Sequence, residues 1–243
     1  MKIKNKIIKI ILIFIINFYF FKIKRELLYE LDNNNIPKIS IFLAIYNKEK
    51  YLERSIGCLQ EQTLKEIEII AINDASTVNI LKEMSEKDKR IKIINNKKNS
   101  GLLFSRAMGI LNSKGEYLMS FDPDDRYQAK TNLKYLYYIA KKLKVDIVSF
   151  LVYFLPSKIT SSSFTHPKEI IRQPELYKSL FKNNILNDYF ISNKLVKREI
   201  FLNAFNIFKK YIYGEKWCYY EDNIWSILVY KYENSSISIN KKI

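Results

Sequence analysis

The sequence of 243 residues has few of the side chains that build zinc or redox sites. It has two cysteines, Cys58 and Cys218, and one histidine, His166. The cysteines are far apart and neither stands at a metal-binding or redox spacing, which argues against a zinc finger and against a Cys-x-x-Cys oxidoreductase. Cys58 falls on the apolar face of a predicted helix and is expected to be a buried thiol. His166 has no partner in sequence and receives no role.

Acidic residues are scarce as well, because 25 Asp and Glu stand against 41 Lys and Arg, which gives a formal net charge of +16. Such a charge suits nucleic acid, anionic lipid or a phosphorylated ligand. The lysines are spread along the whole chain, however, and no basic stripe alternates with stacking aromatics. Nucleic-acid binding is therefore not expected. Apolar residues make up 48% of the chain, and its length is enough for one sizeable domain with its own core.

The apolar run at the N-terminus, Ile7–Phe21, is shorter than the roughly 20 residues that span a bilayer comfortably. Lysines on both sides can snorkel and lengthen it. Because no small-residue cleavage site follows, residues 1–25 are predicted to form an uncleaved signal-anchor, followed by a linker over 26–36. A short buried helix is the alternative. The anchor predicts a single-pass membrane protein, of the type II Golgi or ER kind in a eukaryotic host, and the basic flanks leave its orientation open.

Residues 37–243 alternate between short apolar runs and amphipathic segments. This alternation is typical of an α/β domain with a mainly parallel central sheet flanked by helices. Ligands of such sheets bind beyond the carboxyl ends of the strands. Polar residues follow three predicted strands, at 46–47, 73–74 and 122–125, so we expect them to meet in one crevice. Strands are predicted over 38–44, 68–72, 91–94, 115–121 and 146–154, and helices over 48–60, 78–86, 102–111, 131–143, 175–182, 194–204 and 221–232.

Three carboxylates stand in the tetrad Asp122-Pro123-Asp124-Asp125, directly after a predicted strand. Adjacent carboxylates repel each other unless a cation lies between them. Their oxygens suit Mg²⁺ or Mn²⁺ rather than zinc, and such a cation completes its shell with water and substrate phosphates. The tetrad therefore predicts a metal–diphosphate site. The alternative is an acidic turn, since Asp and Pro are common turn residues.

Seven short segments of the chain carry motifs that stand in a fixed order. Along the chain they are IFLAIYNKE (41–49), SIGCLQEQT (55–63), AINDAS (71–76), NSGLLFSR (99–106), GEYLMSFDPDD (115–125), NKLVKR (193–198) and ED (221–222). Together they resemble the motifs of glycosyltransferase family 2, whose members are inverting enzymes. These enzymes have the GT-A fold, which is the fold of nucleotide-diphospho-sugar transferases. The resemblance covers the chain from residue 36 onwards and implies a nucleotide-binding half, 37–125, and an acceptor half, 126–243.

The resemblance also implies ligands and roles. The implied donor is a nucleotide-diphosphate sugar of the UDP-sugar kind, and the implied acceptor is a hydroxyl of a glycan or of a lipid-linked saccharide. Mn²⁺ or Mg²⁺ is the implied cofactor, held by Asp124 and Asp122. Asp222 is implied as the general base that takes the acceptor proton, supported by Glu221. The implied nucleotide-sugar-binding residues are Ala44, Tyr46, Glu49, Asp74, Arg106 and Asp122.

For two of these residues a direct contact with the base is expected, and for the others the sequence leaves a structural alternative. Tyr46 is expected to lie against the base, and Asp74 to accept a hydrogen bond from a uracil N–H. Arg106 either lies near the phosphates or forms a structural ion pair. Without the resemblance, the acidic pair Glu221-Asp222 at the start of a predicted helix is better explained as an N-terminal cap.

The chain departs from the family pattern at a few positions. No proline precedes Tyr46, and Asn73, Ala75 and Ala107 replace the Asp, Gly and Asn of the family pattern. We expect these changes to adjust the properties of the site rather than to remove its chemistry. The chain stops soon after Ser238, where relatives continue into a Tyr- and Arg-rich strand. One alternative function is thus a catalytically impaired relative that binds a sugar nucleotide or glycan. Another is a nucleotidyltransferase, but the turn after the first strand lacks the Gly- and Arg/Lys-rich loop that this class uses.

Overall fold

Continuous apolar runs form the first strands of the sheet. In β1, Ile39–Ile45, and β2, Ile67–Asn73, nearly every residue is buried, whichever face of the sheet it occupies. Strands of parallel sheets show this pattern because helices cover both faces. The computed structural model describes residues 36–77, 79–154, 159–160, 170–173, 175, 178, 181–182, 185–186, 191–212 and 221–242.

Helices and strands alternate through the first half of the described chain, and shorter strands prevail in the second. The helices are α1 (Glu49–Gln60), α2 (Asn79–Lys87), α3 (Leu102–Asn112), α4 (Asn132–Leu143), α5 (Arg198–Ile212) and α6 (Glu221–Tyr232). The strands after β1 and β2 are β3 (Ile91–Asn95), β4 (Tyr117–Ser120), β5 (Ile147–Leu151), β6 (Tyr153–Phe154), β7 (Ile159–Thr160), β8 (Ile171–Arg172), β9 (Phe181–Lys182), β10 (Ile185–Leu186), β11 (Lys194–Lys197) and β12 (Ser235–Lys242).

Eight of the described strands form the main sheet, in the order β3-β2-β1-β4-β11-β5-β12-β8. Strands β3, β2, β1 and β4 are mutually parallel, and β5 pairs in parallel with β12. Strands β11 and β8 pair antiparallel to their neighbours. The α/β architecture with a mainly parallel sheet agrees with the sequence-based prediction.

Strand β11 corrects one element of that prediction. A helix is expected over 194–204, but Lys194–Lys197 is a strand and the helix begins at Arg198. Residues 194–196 are buried between β4 and β5, with Val196 opposite Leu118 on one side and Ile147 on the other. A four-residue strand with lysines at both ends that leads directly into a helix is too short to show a period of its own, so the sequence pattern merges the two. The helix predicted over 175–182 is also wrong at its end, because Phe181–Lys182 is a strand.

Aromatic contacts attach the last helices to the sheet. The ring of Phe201 in α5 lies edge-on to Phe42 of β1, with 5.9 Å between centroids, and edge-on to Trp225 of α6, with 6.1 Å between centroids. All three side chains are buried in one apolar cluster. This packing holds the first turn of α6 next to the carboxyl end of the sheet.

None of the helices in the described residues is both long enough and apolar enough to cross a membrane. The signal-anchor predicted over residues 1–25 lies outside the described part of the chain.

Two helical glycines allow a test of the packing between α3 and β1. A Cβ atom on Gly109 of α3 would lie 2.7 Å from the Cβ of Phe42, whereas a Cβ on Gly57 of α1 would meet nothing within 4 Å. We expect Gly109→Ala to lower the free energy of unfolding by about 1–3 kcal/mol through overpacking. Gly57→Ala is expected to raise it by roughly 0.5–1 kcal/mol, because alanine favours the helix. Urea unfolding of both variants measures this, and a change of the same sign in both would contradict the packing described.

Candidate functional site

A cleft of about 450 Å³ opens beyond the carboxyl ends of β1, β2 and β4. Its size lies within the range of small-molecule sites. Because β1 lies between β2 and β4, the residues that follow the three strands meet at one edge of the sheet. The cleft is lined by Ala44, Ile45, Tyr46, Lys48, Asp74, Asn99, Gly101, Leu102, Ser105, Arg106, Asp122, Pro123, Asp124, Glu221 and Asp222.

The turn after β2 shows how the departures from the family pattern are accommodated. The side-chain oxygen of Asn73 accepts a hydrogen bond from the Ser76 backbone N–H at 2.9 Å, and its amide donates to the Ser76 carbonyl at 3.0 Å. Ala75 has a φ of 63°, in the left-handed region that favours glycine. Asn73 therefore closes the turn, and Ala75 holds a conformation that glycine would adopt with less strain.

The Asp74 carboxylate is tied to the loop that precedes α3. It is 3% exposed and accepts hydrogen bonds from the Asn96 side-chain amide and from the backbone N–H groups of Ser100 and Gly101, each at 2.8 Å. Two of these bonds reach Oδ1 and one reaches Oδ2. Since a carboxylate oxygen accepts about two hydrogen bonds, the contacts among the described residues leave Oδ2 one acceptor position for a ligand in the cleft.

Arg106 is surrounded by carboxylates from two different parts of the chain. It is 2% exposed, and its guanidinium lies 2.5 Å from Asp222 Oδ1, 3.2 Å from Asp122 Oδ1 and 3.5 Å from Glu221 Oε1. Burial by itself lowers the pKa of Arg106, but the three carboxylates outweigh it and raise that pKa. Of the two roles predicted for Arg106, the structure shows the ion pair, and this ion pair lies in the cleft.

Burial also sets the chemistry of Asp222. Desolvation raises the pKa of its carboxyl above the ordinary 3.8, although the charge of Arg106 opposes the shift. Its Oδ1 contacts Arg106, while Oδ2 has no hydrogen-bond partner among the residues that the structure describes. A carboxylate with a raised pKa and a free oxygen suits proton transfer.

The tetrad after β4 meets two cationic side chains of the α1 region. Lys48 Nζ lies 2.7 Å from Asp124 Oδ2, and the guanidinium of Arg54 donates to the Asp124 carbonyl at 2.7 Å. The hydrogen bond to Asp124 raises the pKa of Lys48. Asp125 differs from its neighbours because it does not line the cleft, and burial raises its pKa to about 7.

The carboxylates of Asp122 and Asp124 form the donor set for the implied cation. No cluster of three or more His, Cys, Asp or Glu side chains is positioned for a metal ion in the described part of the chain. Mg²⁺ and Mn²⁺ sites that act on phosphates need only one or two protein carboxylates, with the remaining positions filled by water and substrate. Both side chains are partly exposed in the cleft, so they fit such a cation.

Most of the residues implied by the resemblance meet in the cleft. Eight line it, and the ninth, Glu49, is exposed at the start of α1 outside the lining. Lys48, Asn99 and Ser105 line the cleft without having been assigned a role from the sequence. All three lie within the quoted motifs, but only the fold shows which of their neighbours they face.

The family can now be established by comparison. The model of the family described as "Glycosyl transferase family 2" matches residues 40–205. The chain belongs to glycosyltransferase family 2. This membership confirms the resemblance carried by the seven motifs.

Curated relatives of this family 2 chain are glycosyltransferases by name. It is 33% identical over 199 residues to an uncharacterized glycosyltransferase of Haemophilus influenzae, a match that covers 77% of this chain and 60% of the relative. It is 32% identical over 180 residues to the cholesterol galactosyltransferase of Borreliella burgdorferi, covering 68% of this chain and 49% of the relative. The matched region thus spans between 49% and 60% of the length of these two relatives.

Solved structures show the same fold. The crystal structure of S. aureus TarS 1–349 superposes with a TM-score of 0.68 at 19% identity, over 84% of this chain and 58% of that one. The same fragment in complex with UDP-GlcNAc also gives a TM-score of 0.68, at 18% identity, over 84% of this chain and 56% of that one. The α/β fold is therefore of the GT-A kind.

Replacing Arg106 tests whether it balances the three carboxylates. We expect Arg106→Met to lower the free energy of unfolding by about 3 kcal/mol at neutral pH, because the carboxylates lose their cation. Burial raises the pKa of Asp222 and the charge of Arg106 opposes this shift, so without Arg106 the folded-state pKa of Asp222 rises further above its unfolded value. The stability of the variant is therefore retained at low pH and lost as pH rises through the folded value. Urea unfolding at pH 5 and pH 8 should show the larger loss at pH 8, with Arg106→Lys intermediate. A loss that is equal at both pH values would contradict this account.

Proposed function

We propose that this protein is a metal-dependent inverting glycosyltransferase that moves a sugar from a nucleotide-diphosphate donor to a hydroxyl acceptor. The observation that carries the proposal is that two sets of carboxylates face one cleft. Asp122 and Asp124 stand at the carboxyl end of β4, Asp222 stands at the start of α6, and Arg106 joins them. Asp122 and Asp124 suit the binding of a cation together with a diphosphate. Asp222 suits the acceptance of a proton.

The donor is proposed to be a UDP-sugar. Tyr46 is 47% exposed in the cleft and offers a ring face on which a base can stack. The remaining acceptor position of Asp74 Oδ2 suits the single N–H of uracil. TarS has been solved with UDP and with UDP-GlcNAc, which supports a uridine donor in this fold. We propose a hexose or an N-acetylhexosamine as the sugar.

Asp122 and Asp124 are the residues that would hold Mn²⁺ or Mg²⁺ beside the diphosphate. A cation bound there supplies positive charge that stabilises the diphosphate as a leaving group. Asp122, at this edge, also suits the donor ribose. Arg106 fixes the position of Asp122, because its guanidinium contacts the Asp122 carboxylate and is itself buried.

Asp222 is proposed as the general base. Its carboxylate takes the proton of the acceptor hydroxyl while the hydroxyl oxygen bonds to the anomeric carbon. The bond from that carbon to the diphosphate breaks on the opposite face, so the anomeric configuration is inverted. Arg106 holds Asp222 by Oδ1 and leaves Oδ2 for the proton, and Glu221 adds negative charge beside Arg106.

The acceptor is proposed to be a glycan or a lipid-linked saccharide. The predicted signal-anchor over residues 1–25 would keep the catalytic domain at a membrane, where lipid-linked saccharides are found. Attachment to a membrane is part of the proposal and is independent of the chemistry in the cleft.

Substitution of Asp222 tests the base. We expect Asp222→Asn to reduce sugar transfer by about 10²-fold or more, with donor binding retained, because an amide cannot take the proton. Glu221→Gln, which removes the neighbouring carboxylate, should have a smaller effect on transfer. In the wild type, the rate should fall as pH drops through the pKa of Asp222, which lies above 3.8. Unchanged transfer by Asp222→Asn would remove it as the base.

Ligand-dependent stabilisation tests the donor and the cation. In a screen of sugar nucleotides against the full chain, we expect UDP-sugars to raise the melting temperature in the presence of Mn²⁺. A donor at 100 times its Kd adds about 2.7 kcal/mol to the free energy of unfolding. EDTA should abolish the effect and added Mn²⁺ should restore it. Binding that ignores EDTA and weakens only with salt would indicate a general basic surface instead, and binding without transfer would indicate a catalytically impaired relative.

A further inference from the structure

Lys48 already occupies part of the donor set proposed for the metal ion. It lies between Asn47, whose φ of 52° turns the chain after β1, and the first residue of α1. Its Nζ lies 2.7 Å from Asp124 Oδ2, and both side chains are partly exposed, at 39% and 42%. Lys48 also lines the cleft. A cationic group of the chain therefore contacts the same carboxylate that a divalent cation would use.

The two cations that face the carboxylates of the cleft differ in how firmly they are held. Arg106 is buried and contacts three carboxylates. Lys48 is partly exposed and forms an ion pair with Asp124 alone among the described residues, and its Nζ lies 5.6 Å from the ring centroid of Tyr51. An exposed ion pair of this kind contributes little to stability, so Lys48 can leave Asp124 readily. Arg106 cannot leave Asp122 without uncovering buried charge.

We propose that Lys48 competes with the divalent metal ion for Asp124 and thereby couples metal binding to donor binding. The proposal rests on the metal-dependent function given above. A cation of charge +2 at Asp124 is repelled by an ammonium group on the same carboxylate, so we expect the metal to displace Lys48. Without donor, this displacement lowers the affinity of the cleft for metal.

The donor supplies a new partner for the displaced ammonium. A diphosphate in the cleft brings negative oxygens next to a lysine that already lines it. Lys48 can then exchange the carboxylate for a phosphate oxygen, while Asp124 exchanges Lys48 for the metal. Each charge keeps a partner only when metal and diphosphate are both present. Metal and donor therefore bind cooperatively, and each raises the affinity for the other by the same factor.

The alternative is that Lys48 simply clamps the tetrad, as Arg54 does through the Asp124 carbonyl. A clamp and a competitor make opposite predictions for metal binding. Loss of a clamp loosens Asp124 and weakens the metal site. Loss of a competitor frees Asp124 and strengthens it.

Lys48→Met separates the two, and Lys50→Met is its matched control. Lys50 carries the same charge and lies over the same Tyr51 ring, at 4.7 Å, but it does not line the cleft. We expect Lys48→Met to bind Mn²⁺ roughly three- to fivefold more tightly than wild type without UDP, measured by the EPR signal of free Mn²⁺. At saturating Mn²⁺ it should bind UDP about tenfold more weakly in calorimetry, because a charge-assisted hydrogen bond is lost. Lys50→Met should match the wild type in both measurements.

The outcomes distinguish this proposal from the function on which it rests. Unchanged or weaker Mn²⁺ binding by Lys48→Met, in a wild-type background that binds Mn²⁺ and UDP, overturns the role of Lys48 and leaves the proposed function intact. An equal gain in Mn²⁺ affinity in Lys48→Met and Lys50→Met also overturns it. The loss of one positive charge near the site would then be enough to explain the gain. If neither the wild type nor Lys48→Met binds Mn²⁺, both proposals fail. Thermal unfolding of both variants without ligand confirms that each is folded.

Discussion

The arrangement of the cleft depends on one buried guanidinium. Arg106 projects from α3 and contacts Asp122 after β4 and Glu221 and Asp222 at the start of α6. These carboxylates repel one another unless a cation lies among them. Because Arg106 cannot lose its proton in a protein, it stays positively charged and holds them close. The two acidic segments of the cleft, which begin 99 residues apart in sequence at Asp122 and Glu221, are thereby joined by a single side chain.

The apolar core makes this ionic arrangement possible. Phe42 of β1, Phe201 of α5 and Trp225 of α6 pack edge-on in one cluster, which places the first turn of α6 beside α3. Gly109 permits α3 to approach Phe42 closely. Charge pairing in the cleft is thus a consequence of hydrophobic packing beneath it, since burial of apolar surface supplies most of the energy that brings the elements together.

Charge is divided unequally between the two sides of the cleft. On the Asp222 side, a buried cation with several partners is permanent and preorganised. On the Asp124 side, the cation is an exposed lysine with one carboxylate partner among the described residues. A fixed cation suits a proton acceptor whose position must not change, and an exchangeable one suits a site where ligands enter and leave. Both cations belong to the quoted motifs, Lys48 in YNKE and Arg106 in NSGLLFSR.

The sequence by itself determined the alternation of strands and helices, the polar ends of β1, β2 and β4, and the family, because buried strands and short motifs are local patterns. It did not reveal strand β11, since four residues, two of them lysines, that run into a helix carry no separate period. It left Arg106 between two roles and assigned none to Lys48. Only the tertiary structure showed the carboxylate partners of these two side chains. The partner of a charged side chain is set by which segments the core brings within about 4 Å, and that distance is not encoded in spacing along the chain.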